Sequence, residues 1–139
     1  MDHLLLLTLL ACDPETADCT LIGCADELIL HVIGPDDTSE VSGRVTVGGH
    51  DFMVDCDGTS DPEVTCVGSD LVFQLSEGLD RGEVAWGLSS SGRDSGGGGG
   101  GYAGEGTVLP EWNSSQPNGP DCPPTCTSGE ATVELLGTP

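Results

Sequence analysis

Apolar side chains in this chain recur at every second position in short runs, with no stretch at the three-to-four spacing of an amphipathic helix. That period confines the backbone to strands whose faces alternate between core and water. Leu28, Leu30 and Val32 alternate with Ile29, His31 and Ile33, so this run is apolar on nearly both faces and belongs at the centre of a sheet. Val41, Gly43, Val45 and Val47 alternate with Ser42, Arg44 and Thr46, the one-sided pattern of a sheet with one wet face. Further runs carry Phe52, Val54 and Cys56, then Val64 and Cys66, then Leu71, Phe73 and Leu75, then Val84, Trp86 and Leu88, with short candidates near residues 107–109 and 132–136. Turn chemistry separates them, as at Gly34-Pro35-Asp36-Asp37, Gly48-Gly49, Asp57-Gly58 and Ser60-Asp61-Pro62. Seven or eight short strands so spaced predict an all-β chain folded as an antiparallel β-sandwich.

The N-terminus reads differently. Residues 4–7 and 9–11 are apolar apart from Thr8 between them, too short a run for a membrane-spanning helix, which needs about 20 residues. A first buried strand is one reading; the absence of alternation favours the hydrophobic region of a secretory signal. Leu9-Leu10-Ala11-Cys12 resembles the lipobox of bacterial lipoprotein precursors. The resemblance covers 12 residues and implies cleavage before Cys12, a diacylglycerol on its sulfur and acylation of its new amino group. It also implies a cell-envelope protein tethered to a membrane through lipid and facing the periplasm or the exterior. The alternating remainder resembles immunoglobulin-like or fibronectin-type modules in pattern only, because the Cys, Trp, Cys spacing of a true immunoglobulin domain is absent.

Seven cysteines, Cys12, Cys19, Cys24, Cys56, Cys66, Cys122 and Cys126, are an odd number for an exported chain. With Cys12 given to the lipid, six remain in three local pairs, and the simplest connectivity is Cys19 with Cys24, Cys56 with Cys66 and Cys122 with Cys126. Such bridges persist in an oxidising compartment. Pairing of residues 51–57 with 64–67 around the turn at 59–62 would set Cys56 opposite Cys66 in a hairpin. A zinc site built from Cys19, Cys24, Cys122 and Cys126 is the competing reading, weakened by the lack of CxxC spacing.

Composition narrows function chiefly by exclusion. With 24 Asp and Glu, 3 Arg, no Lys and a net charge of −21, the chain repels nucleic-acid backbones and anionic bilayer surfaces. Asp55, Asp57, Asp61 and Glu63 crowd one turn and are the candidate ligands for calcium, which takes several oxygens at short range, although Gly58 does not stand where an EF-hand loop needs its glycine. Asp36, Asp37 and Glu40 are a weaker cluster of the same kind, and a solvated face or adaptation to high salt accounts equally for all of them. Gly99, Gly101 and Gly104 match G-x-G-x-x-G only because they belong to a glycine run without a strand-turn-helix unit. His3, His31 and His50 have no G-x-S-x-G elbow to serve. Three functions stay open: a lipid-anchored, non-enzymatic binding or structural module with protein or glycan partners at the cell surface, a calcium-dependent adhesion or matrix component, and a small secreted hydrolase.

The expected organisation is a signal at residues 1–11, a tether at 12–26 carrying Cys19 and Cys24, and one sandwich over 27–139 with a flexible loop at 89–106. Residues 112–127, rich in Pro, Asn and Ser, are expected to be irregular. The glycines at 96–101 offer no side chain to bury and lose much backbone entropy on ordering. Deleting residues 96–101 should therefore leave a cooperative thermal melt nearly unchanged, whereas truncation after Gly92 should abolish it. A truncated chain that melts like the full one would place the end of the domain before the glycines.

Overall fold

The computed structural model describes residues 23–76, 78–91 and 101–137. The expected signal at 1–11, the expected lipidation site Cys12, Cys19 and the glycines at 96–100 lie outside the described residues. Ten strands run in chain order: β1 (Asp26–Ile33), β2 (Val41–Val47), β3 (His50–Asp55), β4 (Val64–Val67), β5 (Asp70–Leu75), β6 (Val84–Ser90), β7 (Tyr102–Val108), β8 (Glu111–Ser115), β9 (Cys126–Glu134) and β10 (Leu136–Gly137). They form two five-stranded sheets, ordered β4-β5-β1-β9-β8 (sheet A) and β10-β7-β6-β2-β3 (sheet B). This is the predicted β-sandwich, with β1 central as its two apolar faces require. One pair departs from antiparallel order, since β1 and β9 run parallel with Leu30 beside Ala131.

The inward residues of each strand meet between the sheets. Leu28, Leu30, Leu71 and Phe73 from sheet A, and Val41, Val45, Val47 and Val84 from sheet B, are wholly buried. Phe52 and Phe73 cross the gap edge to face, with ring centroids 5.4 Å apart. Burial of this kind contributes about 1.5–3 kcal/mol per large apolar side chain.

Three expectations are corrected. Residues 51–57 and 64–67 are not a hairpin: β3 pairs with β2 in sheet B and β4 with β5 in sheet A. The Cys56–Cys66 disulfide does form, with Cα atoms 5.8 Å apart, but it joins the two sheets along one side of the sandwich. The local pairings Cys19–Cys24 and Cys122–Cys126 give way to Cys24–Cys126, Cα atoms 6.0 Å apart and 102 positions apart in sequence. The parallel β1·β9 pair is the cause, because it sets the residues before β1 against the start of β9.

The third correction concerns the two segments read as irregular. Ser89 and Ser90 end β6, Tyr102 to Gly106 lie in β7, and Glu111 to Ser115 form β8. Indole rings make this workable. A β-carbon on Gly104 would stand 2.9 Å from the Trp86 ring and one on Gly129 would stand 2.5 Å from the Trp112 ring. Each tryptophan thus covers a neighbouring glycine and supplies the apolar surface that the glycine lacks. Gly129→Ala should lower stability by about 1–3 kcal/mol in chemical unfolding, because the new methyl would displace the Trp112 ring, whose indole N–H donates to the Gly82 carbonyl. Gly82→Ala, whose β-carbon meets nothing within 4 Å, serves as the control and should change stability by less than about 0.5 kcal/mol.

Candidate functional site

The alternation that buries Leu28, Leu30 and Val32 turns Glu27, Ile29, His31 and Ile33 to the outer face of sheet A. On the flanking strands the same parity presents Asp70 and Val72 of β5 and Ser128, Glu130 and Thr132 of β9. Register then assembles a cluster. His31 stands directly opposite Asp70, while Glu130 lies opposite Ile29, one diagonal step from His31. Nδ1 of His31 donates to Oδ1 of Asp70 at 2.6 Å, and Nε2 donates to Oε1 of Glu130 at 3.1 Å. One imidazolium therefore ties the three middle strands of the sheet across their wet face.

Two N–H donors and two carboxylate acceptors define the protonation state. The hydrogen bond to the Asp70 carboxylate raises the His31 pKa above its ordinary value near 6.5, burial opposes it as the next-largest effect, and Glu130 adds a smaller rise through its hydrogen bond and charge. A general base needs a free ring nitrogen, and neither nitrogen here is free. The cluster holds a cation among carboxylates. His50, the other described histidine, packs its ring against Phe52 with centroids 4.6 Å apart.

The acidic turn proposed for calcium is arranged around its own backbone. Asp61 Oδ2 accepts the Met53 N–H at 2.8 Å, and the Asp61 N–H donates to the Met53 carbonyl at 3.1 Å. The Ser60 hydroxyl accepts the Asp55 N–H at 2.8 Å. Asp55 sits on the outer face of β3, while Asp57 and Glu63 are exposed beyond it. Among the described residues no group of three or more His, Cys, Asp or Glu side chains is gathered closely enough to hold a metal ion. At the weaker cluster, the hydroxyl and amide of Ser39 both donate to Asp37 and hold its carboxyl below the usual range.

Two of the three arginines are described, and both have anionic partners. Arg81 donates to Asp26 at 2.6 Å, with both side chains largely buried, and to the Leu79 carbonyl at 2.8 Å, and its guanidinium lies 5.8 Å from the Trp112 ring centroid. The other oxygen of Asp26 accepts the Thr127 N–H at 2.7 Å, so this group fastens the β5–β6 loop to the starts of β1 and β9. It is structural. Arg44 is exposed on the outer face of sheet B, 3.8 Å from Asp51.

Sequence reading singled out His31 as a strand residue but missed Asp70 and Glu130, which stand 39 and 99 positions away. Only the register of two non-local pairings brings them together. No family model, curated protein or solved structure matches the chain.

The pH dependence follows with a definite sign. Because the folded pKa of His31 is raised, its stabilising contribution is complete below the unfolded value near 6.5 and is lost as pH rises through the folded value. His31→Gln should flatten the alkaline-side fall of the melting temperature over that window and leave the acid limb in place. A wild-type melting temperature that holds constant between about pH 6 and pH 9 would contradict the assignment.

Proposed function

We propose that this chain is an exported, lipid-anchored surface protein acting as a non-enzymatic binding or structural module. One observation carries the reading: all five cysteines among the described residues, Cys24, Cys56, Cys66, Cys122 and Cys126, are disulfide-bonded. Bonds of this kind form and persist in the oxidising conditions outside the cytoplasm. With seven cysteines in the chain, pairing within it leaves one over, and the five described ones are already taken. The remainder is Cys12 or Cys19, and of these Cys12 stands in the lipobox-like Leu9-Leu10-Ala11-Cys12.

The fold supports the second half of the reading. The sandwich presents two broad sheet faces, and both ring nitrogens of His31 are engaged by carboxylates, which favours a recognition surface over a hydrolytic centre. The Cys24–Cys126 bond secures the described domain close to its N-terminal end, where pull from a membrane tether would be applied.

Mass spectrometry of the membrane fraction of a bacterium expressing the full chain tests the anchor. The expected N-terminal peptide begins at Cys12 and carries acyl chains, and Cys12→Ala should move the protein from the membrane to the soluble fraction. Mature exported protein that retains Met1, or partitioning unchanged by Cys12→Ala, would overturn the reading.

A further inference from the structure

The two outer faces of the sandwich differ in a way that points to a partner. On sheet B the exposed cation Arg44 has its own carboxylate, Asp51, on the adjoining strand. On sheet A the outer face carries no Lys or Arg at any strand position. At its centre Val72 and Ile29 are directly opposed across β5 and β1, and Val67 and Ile33, 58% and 54% exposed, flank them. Carboxylates border this apolar centre. Glu130 is opposed directly by Glu111 of the edge strand β8, a like-charge cross-strand pair that costs stability unless a cation lies close by. In the free protein the cation is His31, seated between Asp70 and Glu130.

We propose that the outer face of sheet A docks a cationic, partly apolar segment of a partner protein, whose Arg or Lys takes the place between Asp70 and Glu130 that His31 holds in the free domain. Charge complementarity selects this occupant. The chain carries −21, so a second copy of it or an anionic lipid surface is repelled, whereas a basic segment is attracted. Apolar side chains of the same segment would cover Val72, Ile29 and Val67, removing exposed hydrocarbon from water. A guanidinium fits the seat especially well, because its planar fork offers N–H donors in several directions.

His31 makes this docking pH-dependent. The groups around it are Asp70 from β5, Glu130 and Glu134 from β9, Glu27 on its own strand, and Glu111 from β8 behind Glu130, while β4 turns Thr65 and Val67 to this face. All the titratable ones are carboxylates, so His31 is the cationic group among them. At low pH the imidazolium competes for the seat; once it is neutral, Asp70 and Glu130 are left to the incoming cation. Binding should therefore strengthen as pH rises.

This inference names the partner class for the surface module proposed above, and its test is independent of the lipid anchor. The probe is an eight-residue peptide alternating arginine and valine, titrated into the purified disulfide-bonded chain and followed by calorimetry and by amide chemical shifts. The expected result is shifts confined to β4, β5, β1 and β9, with affinity about threefold or more higher at about pH 8.5 than at about pH 5.5, and a pH dependence abolished by His31→Gln. Asp70→Asn combined with Glu130→Gln should weaken binding about fivefold or more, whereas Asp51→Asn combined with Glu105→Gln, which removes the same charge from sheet B, should change it little. Melting curves of each variant establish that it folds. Equal losses from the two double variants would reduce the effect to general attraction and overturn the proposal. Equal affinity and the same shifts with spermine or calcium would also overturn it, by assigning the seat to a free cation. An acylated Cys12 with no peptide binding would refute this inference alone and leave the anchor intact.

Discussion

The parallel pairing of β1 with β9 holds the described strands in one body. It sets the N-terminal strand beside one that begins a hundred positions later, and it seats β1 between β5 and β9 at the middle of sheet A. From the end of β9 the chain crosses to sheet B at Leu135, whose N–H donates to the Ile33 carbonyl at 2.8 Å and whose side chain is buried, so β10 can pair with β7. At the opposite end of the same pair, the Cys24–Cys126 disulfide and the Asp26 carboxylate, shared between Arg81 and the Thr127 N–H, lock the register. Contacts this remote in sequence carry a large loop-closure cost during folding, and the covalent link lowers it by restricting the unfolded chain.

Aromatic scarcity is the second constraint. Two Trp, one Tyr and two Phe must serve a two-layer sandwich. The two Phe meet each other in the core across the gap between sheets. The two Trp lie over Gly104 and Gly129, and the Trp112 indole also donates to the Gly82 carbonyl at 3.3 Å while Arg81 approaches its face. Each ring thus closes a gap at the margin of the core that a valine or leucine could not span. Disulfides add what the hydrocarbon does not supply, with Cys56–Cys66 joining the edge strands of the two sheets where no backbone ladder can run.

Strand positions were readable because burial on one face imposes a period of two on the sequence, and β1 to β6 follow that period closely. In β7 the inward positions include Gly104 and Gly106, so the signal vanishes although the strand remains: its apolar surface comes from Trp86 on β6. Cysteine partners were readable only where sequence and space agree. Cys56 and Cys66 are close in both, yet even there the expected hairpin was wrong, since a short connection can cross between sheets as well as turn within one. The His31 cluster was hidden for the same reason as Cys24–Cys126. Its members come from strands whose adjacency is decided by the packing of the whole chain.

Charge and cross-linking bear on each other. A chain at −21 with three arginines repels itself in the folded state, where its carboxylates are drawn together on limited surface. Arg81 is committed to the closed end of the sandwich and Arg44 to sheet B, which among the described residues leaves His31 as the cation available to sheet A. A residue that is cationic only below its own pKa is a weak counterweight there, and the repulsion among Asp70, Glu130 and Glu111 grows as it deprotonates. The strand carrying Glu130, β9, is secured to the start of β1 by Cys24–Cys126 and by Asp26, which also holds Arg81. Stability is thereby supplied by covalent and buried contacts at one end of the sheet. Its outer face is left free to keep an arrangement of charge that stability alone would not select.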